Sequence, residues 1–527
     1  MKKFAFVAAL IACAVTLISP APAQDMSKKI LPTMRFDVKP AFERTPEQMD
    51  AFDATLAPSE EKEEPAPRPT MDATVYARLK QAAGLAPHGV RPGASAPALA
   101  PAVVKAKFVG ATECDGPGGC WVPPDVAGSI GKTQFVSVSN DVIEVHARAG
   151  AVQKINSLNG FFGYSTQAMF DPRVQYDEEY QRWIVTADAF AESATVQYLG
   201  IAVSQTSSAT GKWWIYLINI AGIGGAGSFY DYPGLGLSQD ALLFTANVFL
   251  PNNGFQGASL FSVAKARVYN GFGFGVPVFT GLQATLQPGH QLLTDQNPYA
   301  WLASAPGNSS AIYMYAEGFA SNASSAFIVG PYAVTGVAGY GFPPSAAQPA
   351  GCGGTLDTLD NRFQNTGTQN GDLYYQVHTT GDFGVPTTRY YIISGLLGFA
   401  PTISVQNDFY ASGTSNDWNP SVASDPAGRF ALNWSVTDPN AGTMPSMRFA
   451  DNNGGNPVNV AGLNVFTSAS CYNSATGGVS RWGDYSQTSL DPGTAAVSNT
   501  NTKTFWIDNE TVPSTNFWST EVAKILY

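Results

Sequence analysis

Apolar and polar residues alternate in short runs along most of this chain, with a period of two. Gln134-Phe135-Val136-Ser137-Val138-Ser139 and Tyr198-Leu199-Gly200-Ile201-Ala202-Val203-Ser204 show the pattern, as do Ser259 to Val263 and Ala311 to Tyr315. Leu373 to Val377 and Arg389 to Ile393 continue it. Such runs predict half-buried strands, because successive side chains of a strand point to opposite faces. The strands follow recurring turn signals built on Asp, Asn, Pro and Gly. These openings begin at Pro123-Pro124-Asp125, Asp171-Pro172, Asp231-Tyr232-Pro233, Asp295-Gln296-Asn297-Pro298, Asp360-Asn361-Arg362, Asn419-Pro420 and Arg481-Trp482-Gly483-Asp484. Their spacing averages roughly 60 residues, enough for a four-stranded unit with loops. The pattern predicts an all-β fold, a β-propeller of seven blades with six as the alternative, over residues 105–527. The last strand, Ser519 to Leu526, is expected to complete a blade begun by Lys105 to Val109, which closes the ring.

Residues 24–104 carry a different pattern. The run Ser59-Glu60-Glu61-Lys62-Glu63-Glu64-Pro65 and the Ala/Pro tract from Gly93 to Ala102 have little to bury. Two short helices are predicted within this part. Thr45-Pro46-Glu47-Gln48 reads as an N-cap, a first-turn Pro and a capping-box Gln. Thr70 to Ala83 carries Val75, Leu79 and Ala82 on one face. The composition predicts a largely disordered, partly helical spacer. The competing reading is a pro-segment, or an arm that docks on the main domain.

Residues 1–23 read as an export signal. Lys2-Lys3 precedes an apolar stretch from Phe4 to Ile18, and Ala21-Pro22-Ala23 supplies small residues before Gln24. Leu10-Ile11-Ala12-Cys13 also matches a lipobox, but cleavage there would leave a very short hydrophobic core. A secreted or periplasmic protein is expected, with no other window holding the ~20 apolar residues of a spanning helix. Cysteine usage fits an oxidising compartment. Cys114, Cys120, Cys352 and Cys471 permit three pairings. The turn-rich interior between Cys114 and Cys120 favours joining those two, which leaves Cys352 with Cys471.

Composition narrows the partners. The 52 Gly, 36 Pro and 12% aromatic residues favour turns and strands over long helices. The net charge of −11, with no Lys/Arg run beyond two residues, argues against nucleic acid. No metal site is expected, since His88, His146, His290 and His378 are scattered. Asp177-Glu178-Glu179 reads as a solvated turn, lacking a spaced oxygen-ligand loop, and calcium is the single cofactor left open. Asp451 to Asn456 reads as turn. Neither a Gly-x-Ser-x-Gly elbow nor a His-Glu-x-x-His motif is present.

The openings Pro123-Pro124-Asp125, Asp171-Pro172-Arg173-Val174, Asp231-Tyr232-Pro233 and Trp482-Gly483-Asp484-Tyr485-Ser486 resemble those of secreted bacterial β-propellers of sialidase-like and BNR type. The resemblance spans about residues 105–527. It implies a propeller and leaves the activity open, because the Ser-x-Asp-x-Gly-x-Thr-Trp box of true sialidases is missing here. In a propeller the starts of the innermost strands converge at one mouth. That would gather Arg173, Arg362 and Arg481 beside Asp171, Asp360 and Asp484, with Asp231, Tyr232 and Tyr485. Three guanidinium groups could hold a carboxylate or sulfate. Carboxylates with a Tyr could perform acid/base or nucleophilic work on a glycoside. Against this stands a plainer reading: Asp at such turns bonds its own backbone, and an adjacent Arg pairs with it. Two functions stay open, a module binding a glycan or protein ligand and a carbohydrate-active hydrolase or lyase. Oligomeric state is not legible.

Overall fold

The computed structural model describes residues 28–57, 62–63, 68–89, 91, 102–307, 309–452, 460–474, 478–493 and 504–526. The export signal at 1–23, most of the acidic run at 58–67 and the Ala/Pro tract at 92–101 lie outside these residues. So do most of the Asp451 to Asn456 run and its neighbours at 453–459.

The described chain is all-β, arranged as successive antiparallel meanders. Each meander begins with the strand nearest the axis. In chain order these inner strands are Ala127–Ile130, Met169–Asp177, Phe229–Leu237, Gln287–Gln291, Gly367–Asn370, Asn416–Ser424 and Gln487–Leu490. Each packs on the next, and Gln487–Leu490 packs back on Ala127–Ile130, so the ring closes as a β-propeller. Large apolar residues fill the space between neighbouring sheets. Ile184, Ile201 and Tyr216 of the second meander meet Leu235, Phe244 and Phe261 of the third in one buried cluster. The closure expected from the sequence is present. Phe517–Leu526 pairs antiparallel with Val103–Thr112, with Val522 opposite Phe108 and Ala523 opposite Lys107.

A second device recurs at the axis. Backbone φ is left-handed at Asp125 (47°), Asp171 (52°), Tyr232 (61°), Thr285 (46°), Leu359 (53°), Asn419 (51°) and Gly483 (94°), one ahead of or within the start of each inner strand. Strand register shifts at three of these points, between Phe170 and Arg173, Asp231 and Gly234, and Trp418 and Ser421. They are β-bulges that turn the chain into the axis. Asp, Asn and Gly tolerate this conformation best, which is why they mark most openings. The fourth opening departs from the sequence reading. Its left-handed residue is Thr285, and Asp295-Gln296-Asn297-Pro298 lies instead in the loop after the inner strand Gln287–Gln291.

The largely disordered spacer expected for 24–104 is corrected where the chain is described. Lys29–Ile30 pairs with Phe327–Ala333, Met34–Val38 with Phe274–Leu282, and Phe42–Arg44 with Trp213–Asn219. Each adds a fifth strand to the outer edge of a meander, running backwards from the fourth to the second. Exposed outer edges carry unpaired N–H and C=O groups, and this belt satisfies them. The helix Pro46–Asp53 follows, with the expected capping box between Thr45 and Gln48. Its Asp53 accepts hydrogen bonds from Asn156 Nδ2 (2.7 Å) and Ser157 N (3.1 Å) of the first meander. Farther on, Arg91 is buried between the fifth and sixth meanders. Its guanidinium donates to Asp417 Oδ2 (3.0 Å), Pro386 O (2.9 Å) and Thr387 Oγ1 (2.8 Å).

Both disulfides pair as favoured: Cys114 with Cys120, and Cys352 with Cys471. No described helix is long and apolar enough to cross a membrane.

Candidate functional site

The bulges deliver the expected side chains to one mouth of the axis. Tyr485 Oη donates to Asp171 Oδ2 at 2.9 Å, although the two are more than 300 residues apart in the chain. The Tyr232 and Tyr485 rings meet edge to face, 4.8 Å between centroids. Arg173 lies over the Tyr485 ring at 3.2 Å, and Arg362 over Tyr232 at 4.8 Å. Tyr232 Oη donates to the Asp484 carbonyl (3.3 Å). Asp171, Asp360, Asp484, Asp231, Tyr232, Tyr485, Arg173, Arg362 and Arg481 are therefore brought together, as the propeller reading required.

What they do there differs from an open site. Arg362 is committed to Asp360 through two hydrogen bonds of 2.8 Å. Arg173 donates to Pro233 O (2.9 Å), Gln364 O (3.0 Å) and Asn365 Oδ1 (3.2 Å). Arg481 approaches Asp484 Oδ1 (3.3 Å) and Asp357 Oδ2 (3.7 Å). No two of the three guanidinium groups share an acceptor in these contacts. Tyr485 is 0% and Asp171 1% exposed, so the mouth is filled by its own side chains.

Sequence reasoning missed several members. Asp125 ties two openings, accepting from Asp484 N (2.7 Å) and Asn140 Nδ2 (2.9 Å). Asn140 in turn accepts from Asp171 N (2.8 Å). The same solution recurs elsewhere, where Thr285 N donates to Asn247 Oδ1 (2.7 Å) and Asn419 N to Thr379 Oγ1 (3.0 Å). At these three left-handed positions a buried side-chain oxygen of another element satisfies the backbone N–H. Asp125 was visible in Pro123-Pro124-Asp125; Asn140, at the end of a strand, carried no signal.

The described N-terminal segment covers this mouth. Arg68 stacks on Phe229 (3.9 Å) and faces Asp231 (3.5 Å). The helix Ala73–Gly84 places Tyr76 edge-on to Phe342 (5.4 Å), and Lys80 Nζ donates to Thr358 Oγ1 (3.1 Å).

Burial dominates the electrostatics. It raises Asp171 well above the usual carboxylate range, reinforced by Asp125, Asp231 and Asp484. Burial also pushes Asp484 up to about 8, against the pull of Arg481. Asp231 is raised by burial despite Arg68 and Arg362. Asp360 differs: burial acts to raise it, and bidentate Arg362 outweighs that and holds it below its ordinary value. Both tyrosines are raised well above the phenol range by burial, which opposes formation of a nucleophilic phenolate.

Other candidates resolve simply. His378 is buried between Asn361 O (2.7 Å) and Tyr391 Oη (2.9 Å), and burial lowers it to about 3. Asp177 is a buried partner of Lys265 (2.7 Å) and Tyr269 Oη (2.6 Å), which corrects its reading as part of a solvated turn. Among the described residues no group of three or more His, Cys, Asp or Glu is arranged to hold a metal ion. Trp213 and Trp418 are 1% exposed and serve packing.

No protein family and no curated protein matches the chain in sequence. Solved structures that it is similar to include an exo-β-1,3-galactanase from Phanerochaete chrysosporium with β-1,3-galactotriose. That match has 11% identity, a TM-score of 0.30, and covers 63% of this chain and 81% of that one. Another is a mutant Trypanosoma rangeli sialidase displaying trans-sialidase activity, with 9% identity, a TM-score of 0.35, and 73% and 57% of the two chains covered.

Proposed function

We propose that this chain is a secreted or periplasmic, seven-bladed β-propeller that works as a non-catalytic module for a glycan or protein ligand. The observation that carries this reading is the state of the Asp171–Tyr485–Arg173–Arg362 cluster. Its members are buried: Tyr485 bonds Asp171, Arg362 is committed to Asp360, and Arg173 is held by Pro233, Gln364 and Asn365. Cleaving a glycoside there would require a sugar ring within reach of Asp171 and Tyr485, where Tyr232 and Arg173 already sit. The left-handed turn that recurs at the seven openings supports a structural role for them, because one geometric need recurs at each.

The test is incubation of the purified chain with acidic and neutral glycans, following reducing sugar and unsaturated product. The expected result is no release above the blank. Turnover that disappears in a folded Asp171→Asn variant would refute the reading and favour the carbohydrate-active alternative.

A further inference from the structure

The inner strands end at the opposite mouth of the axis, and there the ring is not filled. A recess with about 50 Å³ of space open to a water-sized sphere lies among the ends of the inner strands. That is room for a few waters or for the hydroxyl-bearing edge of a ligand whose remainder stays in solvent, and not for a whole sugar ring. Its polar lining includes Ser129, Gln175, Thr368, Ser424, Thr488 and Ser489, interleaved with apolar Ile130, Leu292 and Val422. Ser424 is 0% exposed, and its Oγ has no hydrogen-bond partner among the described residues. Ser489 Oγ and His290 Nδ1, which also line the cavity, are likewise without one.

Charge limits what could enter. Among the described residues no Lys or Arg lines the cavity, and Glu178 is its one acidic side chain. Burial lowers His290 to about 4, so its imidazole is neutral near pH 7. An anion would meet no cation here and would face Glu178. A hydroxyl-rich neutral molecule could pair with the waiting Ser and His atoms, each costly to leave buried and unpaired, and lay its C–H faces on the apolar residues.

We propose that this second mouth binds the hydroxyl-bearing edge of a neutral polyhydroxylated ligand, held by Ser424, Ser489 and His290. The proposal rests on the binding-module reading and deepens it by naming the site and the ligand class. It places recognition at the far end of the axis from the Asp/Arg/Tyr cluster.

The test uses the full chain in saturation-transfer NMR and calorimetry. The probes are D-glucose, D-galactose, D-mannose, D-xylose and myo-inositol, with sulfate and acetate as anionic controls. At least one neutral probe is expected to bind saturably, and neither anion. Ser424→Val should weaken that binding about five- to thirteenfold, since a desolvated hydrogen bond to a neutral partner is worth roughly 1–1.5 kcal/mol. Ser489→Leu, at the part-exposed rim, should block it while keeping the Tm, which guards against a Ser424 variant that fails to fold. The proposal is overturned if no neutral probe binds, if sulfate or acetate binds instead, or if both variants bind like the parent. Failure here with no glycan turnover leaves the non-catalytic reading standing; turnover removes that reading whatever this cavity binds.

Discussion

Replacing Arg91 by Met tests whether the N-terminal segment is part of the folded domain. Arg91 and Asp417 are both fully buried, 3.0 Å apart, and the guanidinium stacks on Tyr410 at 4.7 Å. Methionine keeps much of the side-chain volume but leaves Asp417 buried without its counter-ion. Losing one partner of a buried pair costs about 3–5 kcal/mol. Asp417 retains donors in Ser415 Oγ (2.6 Å), Ala411 N (2.8 Å) and Trp434 Nε1 (2.9 Å), which places the loss near the low end, about 3 kcal/mol. The sign with pH follows from Asp417. Burial raises its carboxyl above the ordinary value even with Arg91 opposing. Removing Arg91 raises it further, so the folded state is penalised more as the group is forced to ionise. The deficit should therefore be larger at pH 8 than at pH 5. Guanidinium unfolding at the two pH values reads the loss, and limited proteolysis reads release of residues 68–89. A loss below about 1 kcal/mol with unchanged proteolysis would refute the claim that Arg91 anchors this segment.

Further outcomes follow from the same contacts. Tyr485→Phe removes the 2.9 Å hydrogen bond to the Asp171 carboxylate and should cost about 1–3 kcal/mol in denaturant unfolding; no loss would mean the pair is not buried as described. Burial pushes Asp484 up to about 8, Glu317 up to about 8 and Asp508 up to about 7. A raised folded value means stability present at low pH and lost as pH rises through it. Melting should thus be higher at pH 5 than at pH 8, with each titrating group contributing on the order of 1 kcal/mol per pH unit. Removing Cys352–Cys471, with its sequence separation of 119, should lower stability by up to about 5 kcal/mol by loop entropy. Removing Cys114–Cys120, with a separation of 6, should cost about 2 kcal/mol, so a reversed order in unfolding midpoints would contradict the pairing.

How much of this was readable beforehand depends on what each feature needed. The bulges were legible where Asp, Asn or Gly occupies the left-handed position, as at Asp171 and Asn419. They were illegible at Thr285, where the backbone is held by Asn247 and the residue type gives no cue. Convergence of Arg173, Arg362 and Tyr485 followed from ring topology alone. Their burial did not, because the acceptors of Arg173 come from Pro233, Gln364 and Asn365 of other meanders. The belt was hidden by averaging: the alternating Met34-Arg35-Phe36-Asp37-Val38 strand sits in the same stretch as acidic and Ala/Pro runs. Its partner edge, Phe274–Leu282, lies some 240 residues away, and no local pattern announces a fifth strand.

The most direct measurement is a crystal structure of the full chain soaked with the sugar that binds best in solution. Density among Ser424, Ser489 and His290, with Tyr485 still bonded to Asp171, is the predicted result. Density between Arg173 and Arg362, with the Tyr232–Tyr485 pair parted to admit it, would contradict the account.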